Sequence, residues 1–435
     1  MEKLDELLTE LEDLPDGYIS KKTIKGKVYS YLQYFSNGKI VSKYVPNAEV
    51  AELEQKLARR KELELQVKEQ KDGYVEMAPL TKREKELTGY VMAGDRVAAK
   101  LYKGEVIELD RRYAPYAITR TKDFKSFLSS RCVDSSRANA RAILYSLQIK
   151  EANDYIIPLY VNACTVTDNY WFKPSGAVTK FEDLTFGKNL YANVAFTGEK
   201  RIYPWTSCRT PEITTGGACE KCWKYEEDSW WMYKKENDEE VFCDLFAMSL
   251  AQELNIRTVR YIKVDKGVKV RNFAAKCNFD TLAGFVDNAD DLAGAFEGLK
   301  ALGNKEVLKD YLKIRYLDAL IYNVDRTVND MGVLRSRKTG DVICMAPNFD
   351  NNCSLTSMCP RLDLAVENDP IVKAFCEFLK KNKEARKYFR KAKCAKVKRD
   401  MLKRIILKLN PEKENYKEII NFVIARYTYI KKHKR

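Results

Sequence analysis

The chain has 435 residues, enough for two or three domains and a full hydrophobic core. Its hydrophobic fraction of 45% is that of a globular protein, and no apolar run reaches the ~18 residues of a membrane-crossing helix. The single histidine, His433 in the basic tail, argues against a histidine-based metal enzyme, a serine-hydrolase triad and histidine general-base catalysis.

The net charge of +15 is unevenly spread. Lys380 to Lys408 holds 14 Lys or Arg against Glu384 and Asp400. Such a stretch suits RNA, DNA or an acidic protein surface, and equally a solvated helical face. Twelve cysteines lie without a disulfide framework. The acidic, amphipathic N-terminus is not a secretory signal, so reduced thiols in a cytoplasm are expected.

Residues 1 to 75 read as a separate module. Leu4, Leu7, Leu8 and Leu11 start a short amphipathic helix. Tyr18-Ile19, Lys27–Tyr34 and Lys39–Val45 follow as strands, with Asn37-Gly38 as a hairpin turn. Ala48–Gln70 is helical, and Leu53, Leu57, Leu63 and Val67 form a narrow seam suited to another helix, hence to self-association or an antitoxin-like partner. Tyr29, Tyr31, Tyr34 and Tyr44 are expected mainly as sheet core, with base stacking as the alternative. The module resembles small sheet-plus-helix domains of Firmicutes mobile elements.

Asp72-Gly73 is the expected linker. Gly89–Asp110 reads as an antiparallel pair turned at Lys103-Gly104, and Asp123–Ile149 as a long helical stretch, or two helices broken near Asp134. Ser135–Arg141 lies at its centre, with arginines suited to a phosphate, a carboxylate or a structural salt bridge. Tyr170 and Trp171, within Val166–Lys173, are expected to pack.

Thr214-Thr215-Gly216-Gly217 and Lys221 form the next informative stretch. Adjacent glycines let backbone N–H groups approach a phosphate, although a hairpin turn explains them as well. The spacing is not that of a Walker A loop. The strand Trp230–Lys234 ends in a lysine, with Lys235 on the opposite face. The helix Glu239–Leu254 follows, with Phe242, Leu245, Phe246, Leu250 and Leu254 on its apolar side. Cys219-x-x-Cys222 has no second pair, so zinc is not expected.

The most chemical stretch comes last. Apolar positions from Leu308 to Ile321 fit a helix, which runs into Asn323-Val324-Asp325-Arg326-Thr327-Val328-Asn329-Asp330. Met331–Leu334 and Val342–Met345 read as strands turned at Lys338-Thr339-Gly340, and the second delivers Asp350. Two acidic sites thus lie at opposite ends of one hairpin. Phosphoryl transfer uses such an arrangement, and a capped helix with scattered surface acids would produce it too.

The residues Asn323, Asp325, Arg326, Gly332, Pro347, Phe349, Asp350, Asn351, Ser354 and Leu355 resemble the catalytic core of HipA-like serine/threonine kinases of Firmicutes and mobile elements. The likeness extends over about residues 85–380. It implies an α+β, two-lobed kinase fold, with an accessory sheet and helix region at 76–150, an N-lobe at 151–265 and a C-lobe with a basic helical end at 266–435. The implied cofactors are ATP and Mg²⁺. Gly216, Gly217 and Lys221 would lie at the phosphates, and Lys234 would hold the α and β phosphates, oriented by Glu240 or, alternatively, Glu239. Asp325 would accept the proton of a Ser or Thr hydroxyl. Asp350 and Asp330 would hold the metal, and Thr214 falls on an autophosphorylated serine. The implied substrate is a protein, for which the family allows a translation component. Thr327 replaces a histidine of the pattern and Asp330 an asparagine; both departures leave open a catalytically degenerate fold acting as a nucleotide sensor or nucleic-acid-binding regulator.

Overall fold

The computed structural model describes residues 7, 10–11, 13–24, 26–36, 39–69, 77–199 and 208–433. The chain divides into two compact units, Met1–Tyr74 and Val75–Arg435.

In the first unit, β1 (Tyr18–Ile24), β2 (Lys27–Ser36) and β3 (Lys39–Val45) form an antiparallel sheet in the order β1-β2-β3. The expected turn at Asn37-Gly38 and linker at Asp72-Gly73 lie outside the described residues. Helix α1 (Asn47–Glu69) covers one face of the sheet, where Lys21 meets Glu54 at 3.6 Å. Leu57, Leu63 and Val67 are buried, together with Leu7, Leu11, Ser30 and Val45. The seam expected to pair with another helix is therefore closed inside its own module. Its neighbours are the sheet and the residues before β1, where Glu10 meets Arg59 at 2.7 Å and the Leu14 carbonyl accepts from Arg60 at 2.8 Å, because an amphipathic helix and a three-stranded sheet each need a covered face.

The second unit opens with three strands rather than the expected pair: β4 (Gly89–Ala93), β5 (Arg96–Tyr102) and β6 (Glu105–Leu109). Gly94-Asp95 makes a second turn ahead of Lys103-Gly104. Helices α2 (Tyr116–Thr121), α3 (Phe124–Ser129) and α4 (Ala140–Ser146) follow. The break between α3 and α4 is wide because Asp134 accepts from the Ser136 amide at 2.9 Å and hydroxyl at 2.7 Å, a turn that competes with helix. Strand β7 (Tyr170–Pro174) completes the sheet β6-β5-β4-β7, so a boundary at residue 150 would cut through it. Tyr170 and Trp171 are buried in this sheet, as expected.

A second sheet has the order β10-β11-β9-β8, from β8 (Lys221–Glu226), β9 (Ser229–Lys235), β10 (Tyr261–Val264) and β11 (Gly267–Arg271). Between β9 and β10 runs α5 (Asp238–Glu253), which starts and ends one residue before its expected bounds. A third sheet places β12 (Cys277–Thr281) beside β13 (Gly332–Ser336) and β14 (Val342–Met345). The largest core surrounds α7 (Lys305–Ile321), with α6 (Leu292–Lys300) before it. It is completed by α8 (Pro370–Lys381), α9 (Lys383–Lys391), α10 (Arg399–Leu409) and α11 (Tyr416–His433). Tyr311, Leu312, Leu317, Leu320 and Ile321 of α7 are fully buried, which anchors the loop that follows. The architecture is mixed α+β with several antiparallel sheets and a small N-terminal hairpin-and-helix module. Among the described residues no helix is long and apolar enough to cross a membrane.

Candidate active site

Helix α7 ends at Tyr322, whose left-handed backbone (φ 55°) turns the chain sharply into Asn323–Asp330. A buried arginine then ties this loop to the one after β14. Arg326 donates to Asp318 of α7 at 2.8 Å, to Asn348 and Asn351 side chains at 2.9 Å each, and to the Phe349 carbonyl. Asn323 adds bonds to Asp318 at 3.2 Å and to the Asp350 carbonyl at 3.4 Å. Asp318 is itself fully buried and also pairs with Arg315 at 3.3 Å. Arg326 and Asp318 thus fix the spacing between Asp325 and Asp350, a positioning role that the sequence reading did not assign.

Asp350 sits in the left-handed region (φ 60°) and its amide donates to the Tyr261 hydroxyl at 2.8 Å. Its carboxylate receives the Lys234 ammonium at 2.7 Å, joining β9 to the acid loop. Lys234 also meets Glu236 at 2.8 Å and Asp244 at 3.5 Å. Asp244 in turn accepts from the Asn351 amide at 2.7 Å. Burial favours a neutral lysine here, but Asp350, Asp244 and Glu236 outweigh it and raise the Lys234 pKa well above its usual value. Burial likewise raises Asp350, yet Lys234, Lys221 and Arg326 hold it well below the usual carboxylate range. The proton demand falls on Glu236, which burial pushes up to about 8 with Asp244 adding to the rise.

Glu240 is not brought to Lys234. It folds back on its own helix end, accepting from the Asn237 amide at 2.8 Å while Asn237 caps the Glu239 and Glu240 amides at 3.0 Å. This is a capping box, and it occupies the Glu240 carboxylate. Glu239 is engaged elsewhere, with Thr356 at 2.7 Å and the Lys413 ammonium. The helix acid that meets the lysine is Asp244, one turn further on. It is the buried acid in the run Phe242-Cys243-Asp244-Leu245-Phe246, a signal visible in the sequence. Lys235 points to the other face and pairs with Glu220 at 2.8 Å.

Lys221 is the cross-strand partner of Lys234, so both ammonium groups rise from one sheet face. Gly217 has φ 93°, and a Cβ there would collide with the Lys221 ammonium. The glycine loop and Lys221 are therefore in contact, and Gly216, Gly217 and Ala218 are exposed. Beneath this loop Arg137 is buried, donating to the Lys221 and Ala195 carbonyls and lying 3.9 Å from Glu212. The arginine of the Ser135–Arg141 stretch is thus a brace for β8. Thr214 does not present its hydroxyl: it is buried and donates to the Cys164 carbonyl at 2.8 Å and the Pro211 carbonyl at 3.2 Å. Transfer to Thr214 would require that segment to open.

Asp325 is exposed at the front of the acid loop. The two departures from the resembled pattern form one unit: Thr327 donates its amide (2.8 Å) and its hydroxyl (2.6 Å) to a single oxygen of Asp330. Burial and the nearby Asp350 carboxylate raise Asp330 to about 6, against these two bonds. Asn329 is exposed, its amide bonded to Thr327. Among the described residues no group of three or more His, Cys, Asp or Glu side chains stands ready to hold a metal, which includes the Cys219-x-x-Cys222 pair. Beyond burial, the Asp350 carboxylate raises Asp330 by repulsion, which a divalent cation between them, completed by phosphate oxygens and water, would relieve.

Residues 1–55 match the family model of DUF6788, a domain of unknown function. No curated protein matches. Among solved structures, the chain is similar to CtkA, a proinflammatory kinase of Helicobacter pylori, at 16% identity and a TM-score of 0.38, over 50% of this chain and 94% of that one. It is also similar to a chain from the HipA, HipB and operator DNA complex of the Shewanella oneidensis MR-1 toxin–antitoxin system, at 11% identity and a TM-score of 0.45, over 96% of this chain and 97% of that one.

Proposed function

We propose that the protein is an ATP- and Mg²⁺-dependent serine/threonine protein kinase. One observation carries this reading: Lys234 on β9 meets Asp350 at 2.7 Å, with Lys221 and the Gly217 turn on the same sheet face. A strand lysine facing a metal-type aspartate beneath a glycine turn is the division of labour that phosphoryl transfer needs. Lys234 and Lys221 hold phosphate oxygens, with Gly216 and Gly217 allowing close backbone approach. Asp244 and Glu236 orient Lys234. Asp350 and Asp330 hold Mg²⁺, which neutralises phosphate charge when bound. Asp325 takes the proton from the substrate hydroxyl, and its exposure lets a protein chain reach it. The acceptor is a serine or threonine of another protein rather than the buried Thr214.

Labelled ATP and Mg²⁺ incubated with the purified protein and a lysate of acceptor proteins test the reading. Transfer that disappears in Asp350→Ala supports it. No transfer and no ATP-dependent thermal shift would sink it. A second reading, nucleotide sensing without transfer, rests on Asp330, whose added carboxylate faces Asp350. It predicts a Mg²⁺-dependent thermal shift with ATP and no labelled product.

A further inference from the structure

The N-terminal sheet has two unlike faces. Period-two alternation and the strand register put Ser30, Val45 and Lys21 on the side covered by α1. The opposite side carries Tyr18, Ser20, Lys22 and Ile24 of β1, Lys27, Tyr29, Tyr31 and Gln33 of β2, and Ile40, Ser42 and Tyr44 of β3. On this side Tyr18 is 56% and Tyr44 49% exposed and Tyr29 and Tyr31 are half-buried, whereas Ser30 on the covered side is 4% exposed. Tyr34 alone of the four expected core tyrosines lies on the helix side.

The open tyrosines form a connected patch. The ring of Tyr44 lies 6.2 Å from that of Tyr29 and 5.8 Å from that of Tyr31, and the Lys22 ammonium sits 5.1 Å above the Tyr31 ring. The three strands together contain five lysines (Lys21, Lys22, Lys27, Lys39, Lys43) and no acid. The acids of the module lie outside these strands, on α1, among the residues before β1 and at Asp72.

We propose that this open face is a stacking platform for single-stranded nucleic acid, a function independent of phosphoryl transfer. Flat rings, two of them exposed and two half-buried, interleaved with ammonium groups match bases joined by phosphates, and the absence of acid on the strands supplies the charge complementarity. Tyr31 and Tyr44 take the central bases, Tyr18 and Tyr29 flank them, and Lys22 and Lys27 contact the backbone. An acidic peptide would satisfy the lysines but leave the tyrosine faces without a flat partner.

Fluorescence polarisation with the full-length protein tests this, using labelled oligo(dT), oligo(U) and a duplex of the same length. Both single strands, or one of them, should bind better than duplex, and the pair separates a DNA from an RNA preference. The double variant Tyr31→Ala/Tyr44→Ala should weaken binding about thirtyfold or more, because two stacked rings are lost, while Tyr31→Phe/Tyr44→Phe keeps it. Lys22→Gln should lower the salt dependence. Since these side chains face outward, circular dichroism of the variants should match the parent. No binding to either single strand, a duplex preference, or binding unchanged by the alanine pair overturns the proposal. So does a dimer that buries these tyrosines in place of oligonucleotide binding.

Discussion

At Lys234, burial and charge act in opposite directions, and the outcome decides how its variants must be read. The residue is 5% exposed and its ammonium is surrounded by Asp350, Asp244 and Glu236. Removing one partner of such a buried set leaves the others uncompensated, which typically costs about 3–5 kcal/mol. Lys234→Met should therefore lower the stability of its unit by about that amount in chemical denaturation, and its inactivity alone would prove little. Asp325→Asn is the informative variant. Asp325 is exposed, so stability should stay within about 0.5 kcal/mol while phosphoryl transfer is lost. Transfer at the parent rate in Asp325→Asn would remove it from the mechanism. Glu236 gives a pH test at the same cluster. Its folded pKa is raised to about 8 from an ordinary value near 4.5, so the folded state holds a proton that the unfolded chain releases. This contribution is complete below about pH 4.5 and disappears as pH rises through 8. Between those limits it makes stability fall with rising pH, by at most about 1.4 kcal/mol per pH unit. Glu236→Gln should flatten that part of the profile in urea titrations run across the window. An unchanged slope would mean that Glu236 is ionised beside Lys234.

At the scale of elements, the glycine loop distinguishes two neighbouring residues. Gly217 has φ 93° and lies against Lys221, whereas a Cβ added at Gly216 would meet nothing nearer than the Cys132 carbonyl oxygen at 3.9 Å. Gly217→Ala should cost about 1–3 kcal/mol of backbone strain and displace Lys221, weakening ATP binding measured by calorimetry. Gly216→Ala should leave that affinity near the parent value; equal losses in both would show that the loop, not Lys221, sets affinity. The same elements show what the sequence conveyed. The strand Trp230–Lys234 lies within β9, and the apolar period places α5 within a residue, because both depend on local pattern. The helix partner of Lys234 is Asp244 rather than the expected Glu240, which serves its own helix start. Asn237 three residues before Glu240 is a capping signature, and it claims that carboxylate locally. Glu236 shares a strand face with Lys234 by simple alternation and was equally readable. Arg326 and Asp318 were not, since their bonds join segments whose approach only the tertiary fold creates. For the N-terminal tyrosines, both sheet faces carry apolar residues, so the pattern could not say which one α1 covers.

On the scale of the whole molecule, the two units have separate means of stability. The module before Val75 relies on a small set of buried residues, including Leu57, Leu63, Val67 and Val45. The larger unit has the extended core around α7 and contains every residue of the proposed kinase site. A domain of the smaller size buries proportionally less surface and is correspondingly marginal, so it should melt first. Differential scanning calorimetry of the full chain should then resolve two transitions. A ligand stabilises only the unit it binds, by about 2.7 kcal/mol at a hundredfold excess over its dissociation constant. ATP with Mg²⁺ should raise the upper transition and leave the lower one in place. Oligo(dT) or oligo(U) should do the reverse, and Tyr31→Ala/Tyr44→Ala should abolish the second effect without touching the first. This pairing keeps the two functional assignments separable: failure of the ATP shift counts against the kinase site alone, and failure of the oligonucleotide shift against the tyrosine face alone. A single transition moved by both ligands would instead show that the units unfold together, and the assignment of each ligand would then rest on the variants.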